Sequence, residues 1–213
     1  MTQDLITFFG RFHPLWVHLP IGFLIIAVFF KAYVVYGKKP AMQEAVNFSL
    51  LLGTISALVA AVLGFMLSQS GGYDGDILDI HLVAGWTTVI ISAIAWWVNK
   101  NQLRFSKKLN YTVLGFMILA LSVTGHFGGS LTHGEDYLTA FAPFGEKQEE
   151  TKGRVLAKVE DAEVFTDVIQ PVLRSKCQSC HRSGKSKGEL NLASYETMLQ
   201  GGENGPVFIA ADA

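Results

Sequence analysis

Cysteine is almost absent. The 213 residues hold two, Cys177 and Cys180. Charge is scarce as well: 16% of residues are Asp, Glu, Lys or Arg, against 50% hydrophobic ones. The net charge is −1, so neither sign dominates and nothing points to a nucleic-acid partner. The N-terminus has no basic segment leading to a small-residue cleavage site. No removable signal peptide is therefore expected, and the first apolar span is expected to direct insertion. No second Cys or His pair follows His181, although a structural zinc site would need one to reach four ligands. No βαβ pattern surrounds the cysteines, which weakens a thioredoxin-like redox pair.

Apolar length, by contrast, is plentiful. Mean hydropathy is +0.32, which suits a membrane protein better than a soluble domain. Four apolar spans run from about Leu15 to Tyr36, Ala45 to Leu67, Ile80 to Val98 and Tyr111 to Phe127. Each is close to the roughly 20 residues that cross about 30 Å of hydrocarbon as a helix. Gly22, Gly53, Gly64, Gly85 and Gly115 would let such helices approach closely. The expected fold class is all-α: a four-helix transmembrane bundle followed by a small C-terminal domain that carries both cysteines. The expected domains are 1–141 for the bundle, 142–160 for a linker rich in Glu and Lys, and 161–213 for the small C-terminal domain.

Lysine and arginine orient the spans. Lys31, Lys38 and Lys39 follow span one; Lys100, Arg104, Lys107 and Lys108 follow span three. Between spans two and three stand Asp74, Asp76 and Asp79, with no basic residue. The basic-loop bias puts both termini outside the cytoplasm, in a bacterial inner membrane. The three aspartates form a solvated outer loop, with acceptance of quinol protons as the less favoured role.

The two cysteines belong to Cys177-Gln178-Ser179-Cys180-His181. C-x-x-C-H is the attachment signature of a covalent c-type haem. Two thiols on one helical turn can each bond the porphyrin edge, and the adjacent His181 supplies an axial imidazole. A plain disulfide would leave His181 unexplained. In bacteria these thioethers form on the periplasmic side, the side that the basic loops also select. Before the motif, Val164, Phe165, Val168, Ile169, Val172 and Leu173 follow a helical period. That helix is expected to start near Asp161 and to kink or end at Pro171. A short helix is expected from Ser194 to Gln200. Met198 lies on its apolar face, where packing is favoured over a role as sixth iron ligand.

Five more histidines remain: His13, His18, His81, His126 and His133. The topology puts all five in one layer on the outer side. Ionisable groups at membrane depth mark function by default. His18, His81 and His126 are the candidate ligands of one b-type haem; His13 and His133 are weaker candidates, for haem propionates, a quinol hydroxyl or another metal. Alternatives are another metal ion, or a polar cap over the bundle.

Two resemblances follow from these residues. His13-Pro14-Leu15-Trp16-Val17-His18-Leu19-Pro20, with the stretch from Gly125 to Gly134, resembles the uncharacterised DUF2231 family of four-span bacterial membrane proteins. The likeness covers about 10–140, and the recurring histidines of that family fall on His13, His18, His81, His126 and His133. Val168 to Asp212 resembles the planctomycete-type cytochrome c domain through Ile169-Gln170-Pro171-Val172-Leu173, the C-x-x-C-H and the Gly201-Gly202-Glu203-Asn204-Gly205-Pro206 turn. The first resemblance implies membrane location. The second implies haem c and electron transfer, and its members usually carry a later Met-Pro segment as distal ligand. This sequence stops before such a segment, so the natural chain is expected to continue.

The leading expectation is a membrane-anchored carrier moving electrons on the periplasmic side. Quinol or a neighbouring subunit would donate, a b-type haem would relay, and haem c would pass electrons to an external redox protein or respiratory complex. Such a protein is more an electron carrier or respiratory-complex subunit than a self-contained enzyme. The alternatives are an inert anchor presenting a haem c domain to a larger complex, or a metal-binding or haem-sensing membrane protein.

Overall fold

The computed structural model describes residues 2–70, 73, 75–133, 142, 162–178, 180–182 and 185–208. The expected linker from 143 to 160, Asp74, Asp161 and Ser179 lie outside the described residues. The chain divides into two compact units, Met1–Ser70 with Ile80–Gly125, and Gly71–Asp79 with His126–Ala213.

The first unit is helical. α1 (Thr2–Gly10), α2 (His13–Trp16) and α3 (His18–Tyr36) follow one another almost without a break. Pro14 stands in the first turn of α2, where its missing N–H costs nothing. α4 (Gln43–Ser68), α5 (Asp76–Lys100) and α6 (Lys107–His133) complete the helices. Four segments, Gln3–Tyr36, Pro40–Ser68, Asp76–Lys100 and Lys107–His133, are long and apolar enough to cross a membrane. All four overrun the expected limits. Segment one gains most, because the polar-flanked arm before Leu15 is itself helical.

The core of this unit is narrow: Leu24, Ala27, Val46, Leu50, Ala95, Leu114 and Met117. Many large apolar side chains face outward instead, among them Phe29, Val83, Ile90 and Leu119. That inversion suits lipid, which solvates leucine as well as a protein core does and leaves association to close packing. Gly53 supplies such packing: a Cβ there would lie 2.8 Å from Leu24 Cγ. At Gly10 it would lie 2.6 Å from Leu67 N, so α1 rests on the backbone of α4.

Polar side chains inside the unit are tied to one another. Thr88 and Thr124 hydroxyls meet at 2.9 Å between α5 and α6. Lys31 is buried and donates to Gln43 Oε1 (3.1 Å) and Gln102 Oε1 (3.3 Å).

The second unit holds the last turns of α6 and the C-terminal segment. A wide helical turn over Val164–Ile169 leads into α7 (Gln170–Lys176). Pro171 falls in the first turn of α7 and opens this helix instead of ending it; the lysine end of α7 is closed by Cys177 N–H donating to Leu173 O at 2.8 Å. Two short antiparallel strands, β1 (His181–Arg182) and β2 (Lys185–Ser186), follow. α8 (Tyr195–Gln200) is capped by Ser194, whose hydroxyl accepts from Thr197 N. The Gly201–Pro206 turn closes through a bridge between Gly202 and Gly205. Gly201 has φ +76°, the left-handed region that glycine enters without steric cost.

Candidate functional site: the C-x-x-C-H turn and the membrane histidines

The five-residue motif starts where α7 stops. Cys180 N–H and His181 N–H both donate to Cys177 O, each at 3.1 Å. This is the single helical turn that puts the two thiols on one side, and His181 then leaves it as the first residue of β1. Neither cysteine is in a disulfide, and both are half-buried. The loop is sewn to the following chain: Gln178 Nε2 donates to Leu192 O (2.7 Å), Leu192 N–H to His181 O (2.9 Å), and Lys187 N–H to Cys180 O (3.2 Å).

The imidazole of His181 decides whether the turn suits an iron porphyrin. Its Nδ1 lies 3.3 Å from Leu190 O. A carbonyl can only accept, so Nδ1 must carry a proton, and in the neutral ring Nε2 is then a bare lone pair. A metal-ligating histidine is held this way, with its far nitrogen anchored on a carbonyl. Two thiols on one turn, not joined in a disulfide, and one imidazole with Nε2 available form a donor set that fits covalent haem. Met198 is 7% exposed and sits in α8, which matches a core filler.

Two residues that sequence reasoning passed over also belong here. Arg182 Nη2 donates to Ser130 O (3.0 Å) and Leu131 O (3.2 Å). These carbonyls lie in the last turn of α6, where backbone acceptors lack helical partners and the dipole end is negative. Arg182 Nε is buried with no hydrogen-bond partner among the described residues. Tyr73, from the loop between α4 and α5, is half-buried; burial pushes its phenol above the usual range, Cys180 adds to this, and Arg182 opposes it. A basic residue directly after His181 was the one signal in the sequence that could have marked Arg182.

Three of the membrane histidines are exposed. His18 is exposed, with Nδ1 3.1 Å from Leu15 O on its own helical turn. His126 is exposed too, its ring edge-to-face with Phe127 at 5.2 Å. His133 is exposed and its Nδ1 meets Thr132 Oγ1 at 2.8 Å. The pair that does come together is His81 with His13, ring centres 6.2 Å apart and planes at 81°. His13 Nδ1 lies 2.8 Å from Ala60 O, and His81 Nδ1 3.1 Å from Thr124 O. Among the described residues no group of three or more His, Cys, Asp or Glu could hold a metal ion. His18 thus opens α3 turned to the backbone carbonyl of Leu15, apart from the pairing that His81 makes with His13.

Comparison with known proteins agrees with both halves of this picture. A family model described as "Predicted membrane protein (DUF2231)" matches residues 11–137. A second, described as "Planctomycete cytochrome C", matches residues 177–213, beginning at the first cysteine of the motif. No curated protein and no solved structure matches the chain.

Proposed function

The chain belongs to the DUF2231 family of membrane proteins and carries a cytochrome c segment; from that premise we propose that it is a membrane-anchored electron carrier working on the periplasmic face. The coarse outline is plain: four membrane-spanning helices bear a cytochrome-type domain, and such a domain implies haem c. Our reading adds the site, the side and the direction. Cys177 and Cys180 form the thioethers, and His181 Nε2 is the proximal ligand. The bound haem supplies reversible one-electron chemistry, while the protein supplies attachment and orientation. The hydrogen bond from His181 Nδ1 to Leu190 O carries this reading, because it leaves the other ring nitrogen, Nε2, as the one that can bind iron.

The proposed topology has both termini outside and the basic loops in the cytoplasm, with domains at 1–141, 142–160 and 161–213. The electron donor is a quinol or a neighbouring subunit, and the acceptor is an external redox protein or respiratory complex.

A haem-stained denaturing gel of the membrane fraction tests the root claim. Covalent haem should migrate with the protein, Cys177→Ala with Cys180→Ala should abolish the stain, and His181→Ala should keep the stain but lose the native low-spin spectrum. Absence of thioether-bound haem in the native protein would refute the proposal. Protease added to spheroplasts should cut the segment after Phe144; full protection there would reverse the topology.

A further inference from the structure

We propose that His13 and His81 are a two-imidazole site for a second, non-covalent iron porphyrin, held entirely within the helical unit. The site is assembled from four helices. α2 brings His13, α5 brings His81, and α4 and α6 contribute the carbonyls of Ala60 and Thr124 that bind the two Nδ1 atoms at 2.8 and 3.1 Å. Since a carbonyl cannot donate, each Nδ1 is protonated and each Nε2 is a lone pair. The two rings therefore cannot hydrogen-bond to each other. Each ring is already in the tautomer of a metal ligand with an anchored far nitrogen.

The surroundings hold the rings in place. Gly64 lets α4 pass directly under His13: a Cβ there would come within 2.8 Å of Cε1 and 2.9 Å of Nδ1. Below His81, Thr124 Oγ1 is tied to Ala120 O at 2.8 Å and to Thr88 Oγ1 at 2.9 Å. The separation also suits one metal between the rings. A metal–imidazole bond is about 2 Å, and Nε2 lies roughly 1 Å from the ring centre, so two rings sharing a metal are centred about 6 Å apart. The observed separation is 6.2 Å.

The ligand count selects the metal. With two histidines and no third His, Cys, Asp or Glu grouped with them among the described residues, zinc lacks the three or four protein ligands it takes. A centre with two protein ligands must bring the rest of its coordination sphere. Haem iron does, with four equatorial porphyrin nitrogens and two axial positions for histidine. The inference extends the electron-carrier reading by a second redox centre, but the existence of the site does not depend on that reading.

The test uses the full chain with Cys177→Ser and Cys180→Ser, so that no haem is attached covalently. It is purified from haem-replete cells in detergent, and acid–acetone extraction, a pyridine haemochrome spectrum and metal analysis follow. One extractable b-type haem per chain is expected, with a low-spin bis-histidine signature by near-infrared magnetic circular dichroism. His13→Ala and His81→Ala should each lower haem content at least tenfold or turn the iron high-spin. Added imidazole should restore the low-spin signal in His81→Gly, which a merely structural histidine would not allow. His18→Ala and His126→Ala should retain the haem. Absence of extractable haem overturns the proposal, as does haem unchanged in both His13→Ala and His81→Ala, or stoichiometric copper in place of iron. Loss of covalent haem in the native chain would instead sink the C-x-x-C-H assignment alone.

Discussion

Glycine 64 offers a sharp test of how the helical unit is built. In an exposed helix Gly→Ala gains roughly 1 kcal/mol from backbone entropy. At Gly22, Gly85 and Gly115 an added Cβ meets nothing within 4 Å, so that gain should appear nearly whole. At Gly64 the same methyl group would stand 2.8 Å from the Cε1 of His13. The ring must move, and it is held by its bond to Ala60 O. Overpacking of this kind costs about 1–3 kcal/mol, and the lost hydrogen bond about another 1 kcal/mol. Against the helix gain, Gly64→Ala should come out about 1–3 kcal/mol less stable than the native chain. It should fall about 2–4 kcal/mol below Gly22→Ala by the same terms. Unfolding in mixed micelles, followed by tryptophan fluorescence, gives both values. If Gly64→Ala matches Gly22→Ala, then α4 does not run under His13 and the histidine pair loses its floor.

Other sites give independent checks. Gly10→Ala should destabilise by about 1–3 kcal/mol in the same assay, because the new methyl group meets the backbone of Met66 and Leu67, which has no rotamer to escape into. Gln43→Leu should cost about 1–3 kcal/mol by stripping the Lys31 ammonium of one of its two amide oxygens, and should be worse than Lys31→Met, which removes the buried cation itself. Arg182→Ala should lower the thermal unfolding temperature of the holoprotein through loss of its bonds to Ser130 O and Leu131 O, worth about 1.5–3 kcal/mol for a charged donor; Arg182→Lys, with one point donor, should restore only part. Ser194→Ala should cost about 1 kcal/mol as a lost helix cap. The exposed Glu196 carboxyl is held below its ordinary range by its backbone amide and by Ser194; its contribution is therefore complete above that range and lost as pH falls through it, and Glu196→Gln should flatten that stretch of a stability–pH curve.

The sequence by itself determined the four spans, because crossing hydrocarbon requires a length and an apolarity that any window of residues either has or lacks. It also determined the covalent haem signature, since two thiols and an imidazole within one turn are close in space whatever the rest of the chain does. It placed Ser194 at the start of the last helix for the same local reason. Tertiary structure decided which histidines meet. His13 looked weak beside Pro14, yet the proline opens α2 and the short helix carries His13 against Ala60 and His81. His18, five residues on, begins α3 and turns to the carbonyl of Leu15. The anchoring of Arg182 on the end of α6 was equally out of reach, because its partners are backbone atoms 51 and 52 residues away. Hydropathy sums along one helix; the meeting of two imidazoles depends on the rotation of two helices about their axes and on a third that leaves room for one ring, as α4 does at Gly64.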